Sequence, residues 1–256
     1  MTRWQERFSI AGRRALVTGA SKGLGAEICT VFAEAGADIV AVGRDAGDLE
    51  AVAGQVRGHG RACLTITADL ATPDGPGEAA RRALAEWGTI DILVNSAGTA
   101  RTAPALDLAL EDWEASMALN LRAPFLMAQA LAPAMIAQRW GKIINISSQT
   151  GVIALDDHAA YAASKGGLNA LTKSLAAEWA RHNVQVNAIC PTVVMTPMGR
   201  RLWSDPAKSG PFIDATPLRR FGEPVEIADA ALYLAAPASE LVNGALMMLD
   251  GGYSSV

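Results

Sequence analysis

Short runs of β-branched apolar residues alternate along this chain with longer Ala- and Leu-rich stretches that have helical spacing. This alternation restricts the possible folds most strongly, because repeated strand and helix units build a parallel sheet. Runs such as Ile92-Leu93-Val94 are apolar at every position, which suits strands that are covered on both faces. Seven strands are predicted, at residues 15–17, 39–42, 64–67, 92–94, 142–146, 184–188 and 246–249.

Helical periodicity fills the intervals between these strands. Helices are predicted at residues 24–35, 47–58, 75–87, 110–138, 161–181 and 225–235. The expected fold class is α/β, a doubly wound, seven-stranded parallel sheet flanked by helices. The chain has no Ser- or Pro-rich linker and no internal repeat, so residues 1–256 are expected to form a single domain. The weakly periodic, proline-rich residues 191–222, the lid segment, are expected to be a substrate lid.

Composition argues against several partners and sites. The chain has 22 Lys and Arg against 26 Asp and Glu, mixed along its length, so it lacks the basic patch of a nucleic-acid-binding protein. Its first residues lack the apolar stretch of roughly 7–15 residues that is typical of a signal peptide, and no apolar run comes near the roughly 18 residues needed to cross a bilayer. Cys29, Cys63 and Cys190 are odd in number and far apart, which argues against disulfides and a zinc site. We expect a cytoplasmic protein with no metal, nucleic-acid or membrane partner.

The first predicted strand runs directly into the glycine-rich turn Thr18-Gly19-Ala20-Ser21-Lys22-Gly23-Leu24-Gly25, and a helix follows. Glycines let the backbone approach a pyrophosphate, and the free N–H groups of the helix N-terminus stabilise its charge. A glycine-rich turn also occurs without a ligand. The position of this turn in a doubly wound pattern favours dinucleotide binding.

The end of the second predicted strand bears on which dinucleotide binds. An acid there would bond the ribose hydroxyls of NAD, whereas an Arg would favour the 2′-phosphate of NADP. Gly43 stands where that acid is expected, Arg44 follows at once, and Lys22 lies inside the glycine turn. These residues favour NADP(H). In the alternative, Arg44 and Lys22 are solvated and Asp45 reaches the ribose of NAD(H).

Tyr161 and Lys165 are four residues apart in a predicted helix, so their side chains share one face. A nearby cation stabilises tyrosinate and lowers the pKa of a phenol toward the range useful for proton transfer. The same spacing is common on protein surfaces. Ser148, thirteen residues before Tyr161 at the end of a predicted strand, favours a catalytic interpretation.

These residues and their order closely resemble the short-chain dehydrogenase/reductase family over essentially the whole chain. The matching motifs are Thr18-Gly-x-x-x-Gly-x-Gly25, Asn95-Ser-Ala-Gly98, Asn120, Ser148 and Tyr161-x-x-x-Lys165. The resemblance implies a Rossmann-type fold that transfers hydride between a nicotinamide dinucleotide and a carbonyl or secondary alcohol. The chain departs from the family pattern at Ser96 and Thr192, where Asn and Gly are usual.

The resemblance also implies residue roles. Ser148 would hydrogen-bond the substrate oxygen and Tyr161 would protonate it, while Lys165 would lower the pKa of Tyr161 and hold the nicotinamide ribose. Asn120 would position a water that relays protons to Lys165, or would make only structural hydrogen bonds. The residues placed along the cofactor are Gly19, Ser21, Lys22, Gly23, Leu24, Gly25, Arg44, Asp69, Leu70, Asn95, Ala97, Gly98, Tyr161, Lys165, Pro191, Val194 and Thr196. Asp69 has a second interpretation as a turn-forming residue.

Loop motifs narrow the resemblance to the dicarbonyl/L-xylulose reductase subgroup. Residues 191–199 and 203–206 of the lid segment, the run Ser147-Ser148-Gln149 and His158 match that subgroup, whose Gln and His face the substrate. Gln149, His158 and Trp203 thus join Ser148 and Tyr161 as candidate substrate contacts. His158 also fits an ordinary loop residue, and Trp203 one that packs the lid.

The expected function is NADPH-dependent reduction of a ketose or α-dicarbonyl, reversible as alcohol oxidation. An NAD-dependent polyol or sugar-acid dehydrogenase is the close alternative; a 3-oxoacyl carrier-protein reductase and a silent dinucleotide-binding scaffold are more distant ones. By analogy with the family, we expect a homotetramer built on the helices near 110–138 and 161–181 together with the C-terminal segment.

Overall fold

The computed structural model describes residues 3–256, and seven strands within that part of the chain form one parallel sheet. The strands are β1 (Arg14–Thr18), β2 (Asp38–Gly43), β3 (Cys63–Thr67), β4 (Ile92–Asn95), β5 (Gly141–Ile146), β6 (Val184–Pro191) and β7 (Leu246–Leu249). Their order across the sheet is β3-β2-β1-β4-β5-β6-β7. The order reverses between β1 and β4, and loops that leave in opposite directions open a crevice at such a point.

Helices cover both faces of the sheet. They are α1 (Trp4–Phe8), α2 (Gly23–Glu34), α3 (Ala46–Gly58), α4 (Gly75–Trp87), α5 (Leu110–Met117), α6 (Ala123–Gln138), α7 (Ala159–Trp179), α8 (Pro197–Trp203), α9 (Pro206–Ala215) and α10 (Pro224–Ala235). Residues of α2, α3 and α10 build the apolar core on one face, and those of α4, α6 and α7 the core on the other. This arrangement confirms the predicted doubly wound α/β fold.

The predicted helix 110–138 is not continuous. A π-helical turn, Ala118–Arg122, separates α5 from α6, and the N–H of Ala123 bonds the carbonyl of Ala118. Asn120 lies inside this turn and is fully buried. Apolar periodicity does not reveal such a turn, because one extra residue shifts the helical face without changing its composition.

The lid segment contains two helices that its weak periodicity did not predict. Pro197 and Pro206 begin α8 and α9, and the preceding Thr196 and Asp205 cap them by accepting backbone N–H groups. Proline is favoured in the first turn of a helix, where its missing N–H costs nothing. Two of the prolines that suggested an irregular loop therefore start helices.

Lys142, near the amino end of β5, is a buried lysine that no sequence pattern marks. Its side chain is 1% exposed, and its Nζ donates to Ser239 Oγ over 3.2 Å. Burial lowers the pKa of Lys142 to about 8, and nearby Glu240 opposes this shift. The unfolded chain, where the pKa of Lys is near its ordinary value, binds the proton more tightly. The burial cost is thus present at pH 7 and falls as pH rises above about 8.

We expect Lys142→Met to raise the free energy of unfolding at pH 7 by about 2 kcal/mol, because it removes a buried charge at similar volume. Thermal unfolding at pH 7 should then show a Tm higher by about 4–8 °C, and the gain should shrink at pH 10. The exposed Lys173 provides a control, as Lys173→Met should leave Tm nearly unchanged. A gain that is equal at both pH values would contradict the assigned cause.

Candidate active site

The carboxyl ends of β1 and β4 are joined by one buried hydroxyl. Thr18 Oγ1 accepts the N–H groups of Ser96 and Ala97 over 3.0 and 3.1 Å. Asn95 Nδ2 donates to Asn145 Oδ1 on β5 over 2.8 Å. The loop after β4 is thereby held beside the glycine turn at the crevice where the strand order reverses.

The glycine turn has little room for side chains. Gly19 and Gly23 have φ values of +66° and +61°, which favour glycine. A Cβ at Gly19 would lie 2.8 Å from Ala97 Cα, and a Cβ at Gly25 would lie 2.3 Å from Gly19 O. At the N-cap of α2, Lys22 has no acceptor with which to bond the first N–H groups of the helix, so these groups have no side-chain cap. This turn therefore fits a dinucleotide pyrophosphate.

The far end of the crevice carries both signs of charge. A Cβ at Gly43 would lie 3.4 Å from the Ser21 side chain, and exposed Arg44 makes no ion pair with residues 3–256. Lys22 Nζ lies 3.0 Å from the Asp48 carboxylate. Asp45 accepts the N–H of Asp48 and so caps α3. Arg44 and Lys22, the two cations that favour NADP(H), both lie at this end of the crevice. The carboxylate of Asp48 partly neutralises the charge of Lys22.

The remaining cofactor candidates follow the same edge of the sheet. Asp69 Oδ1 accepts the N–H of Ala71 over 3.0 Å, as its turn-forming interpretation predicts, and Leu70 beside it is buried. Thr196 Oγ1 accepts the N–H of Gly199 and also lies across from the glycine turn, 3.5 Å from where a Cβ of Gly23 would stand. Pro191 and Val194 lie at the start of the lid segment and are buried.

The four candidate catalytic residues are brought together by α7 and the π-helical turn. Lys165 Nζ donates to Ile146 O over 2.7 Å and lies 5.7 Å from the centroid of the Tyr161 ring. A Cβ at Gly98 would lie 3.3 Å from Asn120 Oδ1 and 3.7 Å from Lys165 Nζ, so the amide and the ammonium both lie beside Gly98. Ser148, two residues after β5, is close enough to Tyr161 to lower its pKa, and the Oγ of the preceding Ser147 donates to Lys165 O over 3.3 Å.

Ser164 links two of these groups and was not singled out from the sequence. It is fully buried; its Oγ accepts from Asn120 Nδ2 over 3.0 Å and donates to Tyr161 O over 2.8 Å. Asn120 also bonds both backbone groups of Thr99. The available clue was the helical spacing, since a residue three positions after Tyr161 shares its face.

Burial dominates the titration of the catalytic pair. It raises the pKa of Tyr161 above its ordinary value, and the hydrogen bond with Ser148 opposes that shift. It also lowers the pKa of Lys165 to about 8. The sequence led us to expect Lys165 to lower the pKa of Tyr161, but burial is the dominant effect on that pKa. Tyr161 therefore keeps its proton at neutral pH, as a proton donor must.

The candidate substrate residues differ in their surroundings. Gln149 is 2% exposed, and its Oε1 has no hydrogen-bond partner among residues 3–256; neither does the buried hydroxyl oxygen of Thr192. His158 lies at the N-cap of α7, with its ring centroid 6.1 Å from that of Tyr161. Trp203 packs on Phe212 at 4.6 Å, so it does serve to pack the lid segment.

Neither a metal site nor a membrane span is found within residues 3–256. No group of three His, Cys, Asp or Glu side chains there is arranged to hold a metal ion. In the same residues, every helix is too short or too polar to reach across a bilayer.

Several known proteins are similar to this chain in sequence or in structure. A family model described as enoyl-(acyl carrier protein) reductase matches residues 19–254. D-threitol dehydrogenase of Mycolicibacterium smegmatis is 45% identical over 247 residues, 96% of this chain and 95% of that protein. L-xylulose reductase of Bos taurus is 41% identical over 245 residues, 95% of this chain and 97% of that protein. The crystal structure of a gluconate 5-dehydrogenase from Burkholderia cenocepacia J2315 with NADP and tartrate has a TM-score of 0.95 at 40% identity, covering 99% of this chain and 100% of that chain.

Proposed function

The chain belongs to the short-chain dehydrogenase/reductase family, and from that membership we propose that it transfers hydride between NADP(H) and a small ketone or secondary alcohol. The proposed substrate is a ketose or an α-dicarbonyl. One observation carries the proposal: Ser148, Tyr161 and Lys165 meet beside a glycine turn that fits a dinucleotide.

The proposed mechanism gives each of the four catalytic side chains a separate role. When bound, NADPH supplies the hydride that adds to the carbonyl carbon. Tyr161 donates its phenolic proton to the carbonyl oxygen, and Ser148 donates a hydrogen bond to the same oxygen. Lys165 holds the nicotinamide ribose. Asn120, which lies beside Gly98 as Lys165 Nζ does, positions the water through which Tyr161 recovers its proton.

The polar surroundings support a hydroxylated substrate. The unpaired Gln149 Oε1 offers an acceptor to a substrate hydroxyl, because a buried acceptor without a partner is costly until a ligand satisfies it. His158, beside Tyr161, offers a second polar contact. Trp203 contributes an apolar wall from the lid segment. Named relatives that act on threitol and L-xylulose support a small polyhydroxylated substrate.

An NAD-dependent polyol dehydrogenase remains the second candidate because of one contact. Asp48 pairs with Lys22 over 3.0 Å and would repel a 2′-phosphate placed there. The polyol substrate of this candidate is the class named for the threitol dehydrogenase relative.

Cofactor binding separates these two candidates. We expect Arg44→Leu to weaken NADP⁺ binding about tenfold, the loss of one charge-assisted phosphate contact, and to change NAD⁺ binding less than twofold. Calorimetric titration of the free protein measures both. Arg44→Lys, which keeps the charge, should lose much less affinity. Equal effects on the two nucleotides would show that Arg44 does not contact the 2′-phosphate.

The same proposal includes a homotetramer. A groove on α5, the π-helical turn, α6 and α7 is lined by the apolar Met117, Leu121, Phe125 and Leu171 and by the charged Glu114 and Arg122. Phe125 is 39% exposed. We expect Phe125→Glu to dissociate the assembly in sedimentation experiments, because it would place a carboxylate where the interface buries an apolar ring. Phe8→Glu, at an exposed phenylalanine on α1, is the control. A monomeric wild-type protein would contradict the assembly.

Turnover assays test the proposed function directly. NADPH and NADH absorbance should be followed with diacetyl and L-xylulose, and NADP⁺ and NAD⁺ reduction with xylitol and threitol. Ketone-dependent loss of NADPH is the expected result. Polyol oxidation with NAD⁺ alone would favour the second candidate, and inactivity with every pair would refute both.

A further inference from the structure

A short turn at the C-terminal end of β7, residues 250–255, is held in one conformation by a buried acid. Asp250 is 4% exposed, and its carboxylate accepts the N–H groups of Gly252 and Ser254 over 3.0 and 2.9 Å. These bonds account for the lowered pKa of Asp250, which burial alone would raise. The turn leaves the sheet at the same edge as the candidate active site, since β7 is parallel to β6.

This turn and the end of β7 contact the lid segment at three points along its length. At its start, the N–H of Thr192 donates to Leu249 O over 3.0 Å, and near its end the N–H of Leu218 donates to Gly251 O over 3.1 Å. In the middle, the ring of Tyr253 stacks on that of Phe212 in α9, with centroids 4.6 Å apart and planes 14° apart.

The stacked pair extends to the candidate substrate residue. Phe212 is 7% exposed and also packs on Trp203, the last residue of α8, at 4.6 Å. Phe221, near the end of the lid segment, lies 5.9 Å from both Phe212 and Trp203. Four aromatic rings thus connect the C-terminal turn to both lid helices.

Close packing leaves this contact little freedom to shift. Gly251 and Gly252 have positive φ, and a Cβ at Gly251 would lie 2.8 Å from Thr216 Cγ2 in the lid segment. A stacked aromatic pair contributes about 0.5–1.5 kcal/mol beyond the area it buries. Removing the Tyr253 ring would release α9 while leaving both backbone hydrogen bonds in place.

We propose that Tyr253 is a positioning residue that fixes the lid helices, and through Phe212 and Trp203 sets the affinity for the substrate. The proposal rests on the proposed function, because it takes the ligand beside the lid segment to be the ketone substrate. The hydroxyl of Tyr253 makes no hydrogen bond within residues 3–256, so the ring alone carries the effect. Tyr253→Phe therefore provides a matched control for Tyr253→Ala.

Hydrogen exchange of the free protein tests the positioning without requiring activity. Amides of α8 and α9 should exchange at least tenfold faster in Tyr253→Ala than in wild type, and at the wild-type rate in Tyr253→Phe. Amides of β1, β4 and β5 should not change. The proposal would be overturned if the amide exchange rates of α8 and α9 did not change in Tyr253→Ala, or if exchange became faster throughout the sheet. If Tyr253→Ala does not fold, Tyr253→Leu replaces it, since it keeps apolar volume without stacking.

Steady-state kinetics test the effect on the substrate. Tyr253→Ala should raise KM for the ketone about tenfold, change kcat less than threefold and leave the Kd for NADP⁺ unchanged. Faster exchange without a change in KM would overturn the link to substrate affinity. A wild-type protein that reduces no ketone would refute the proposed function and with it that link, while the exchange result would still decide whether Tyr253 holds the lid helices.

Discussion

Tyr161→Phe is expected to lower kcat for ketone reduction about 10³-fold, because it removes only the hydroxyl that donates the proton. The ring and its position on α7 are kept, so the Kd for NADP⁺ should stay within twofold of wild type. Burial raises the pKa of Tyr161, so the wild-type residue holds that proton across the neutral range. Stopped-flow or steady-state absorbance of NADPH measures the rate, and calorimetry measures the binding.

The control for this substitution is a tyrosine outside the site. Tyr233 lies on α10, where its ring centroid is 6.2 Å from that of Phe8, and Tyr233→Phe should leave kcat unchanged. A Tyr161→Phe variant that retains wild-type kcat would show that another group protonates the substrate. Loss of nucleotide binding in that variant would instead make Tyr161 a cofactor residue only.

Gly25→Ala is expected to damage both stability and nucleotide binding. The new Cβ would lie 2.3 Å from Gly19 O and 2.7 Å from Gly19 C, and neither backbone atom can move without opening the glycine turn. Overpacking of this kind costs about 1–3 kcal/mol. We expect Tm to fall by about 4–10 °C, and the Kd for either dinucleotide to rise at least tenfold. Thermal unfolding and calorimetry test the two effects.

Gly54→Ala is the matched change at an open position. A Cβ at Gly54, in the interior of α3, meets nothing within 4 Å. Alanine has the higher helix propensity, so this variant should be neutral or more stable by up to about 1 kcal/mol. If Gly25→Ala were as stable as wild type, the glycine turn would have to accommodate a Cβ at position 25, contrary to the distances above.

The sheet was accessible from sequence because its signals are local. Apolar runs such as Ile92-Leu93-Val94 predict buried parallel strands, and each predicted strand is present in the structure. The convergence of Ser148 with Tyr161 follows from the end of a strand and the start of a helix, once the family pattern is recognised. Local sequence patterns do not predict distances, pKa directions or ion pairs. The pairing of Lys22 with Asp48 depends on how α3 lies against the glycine turn, which no local pattern contains.

Buried polar groups were the least accessible from sequence. Lys142 occupies a strand position where a lysine normally indicates an exposed side chain, yet its partner Ser239 is nearly one hundred residues away. No local sequence pattern distinguishes Ser164 from the other serines of the chain. Both become visible only when tertiary packing brings distant segments together.

The π-helical turn makes the length of the chain between α5 and α6 as important as its residues. Such a turn is an α-helix with one residue inserted, so deletion of one residue from Ala118–Arg122 would restore regular winding. It would also rotate α5 by about 100° about its axis relative to α6. The face of α5 that packs on α7 would turn away, and the amide of Asn120 with it. Deletion of Ala118 alone should therefore be more harmful than most substitutions, although its methyl group has no role in the proposed mechanism.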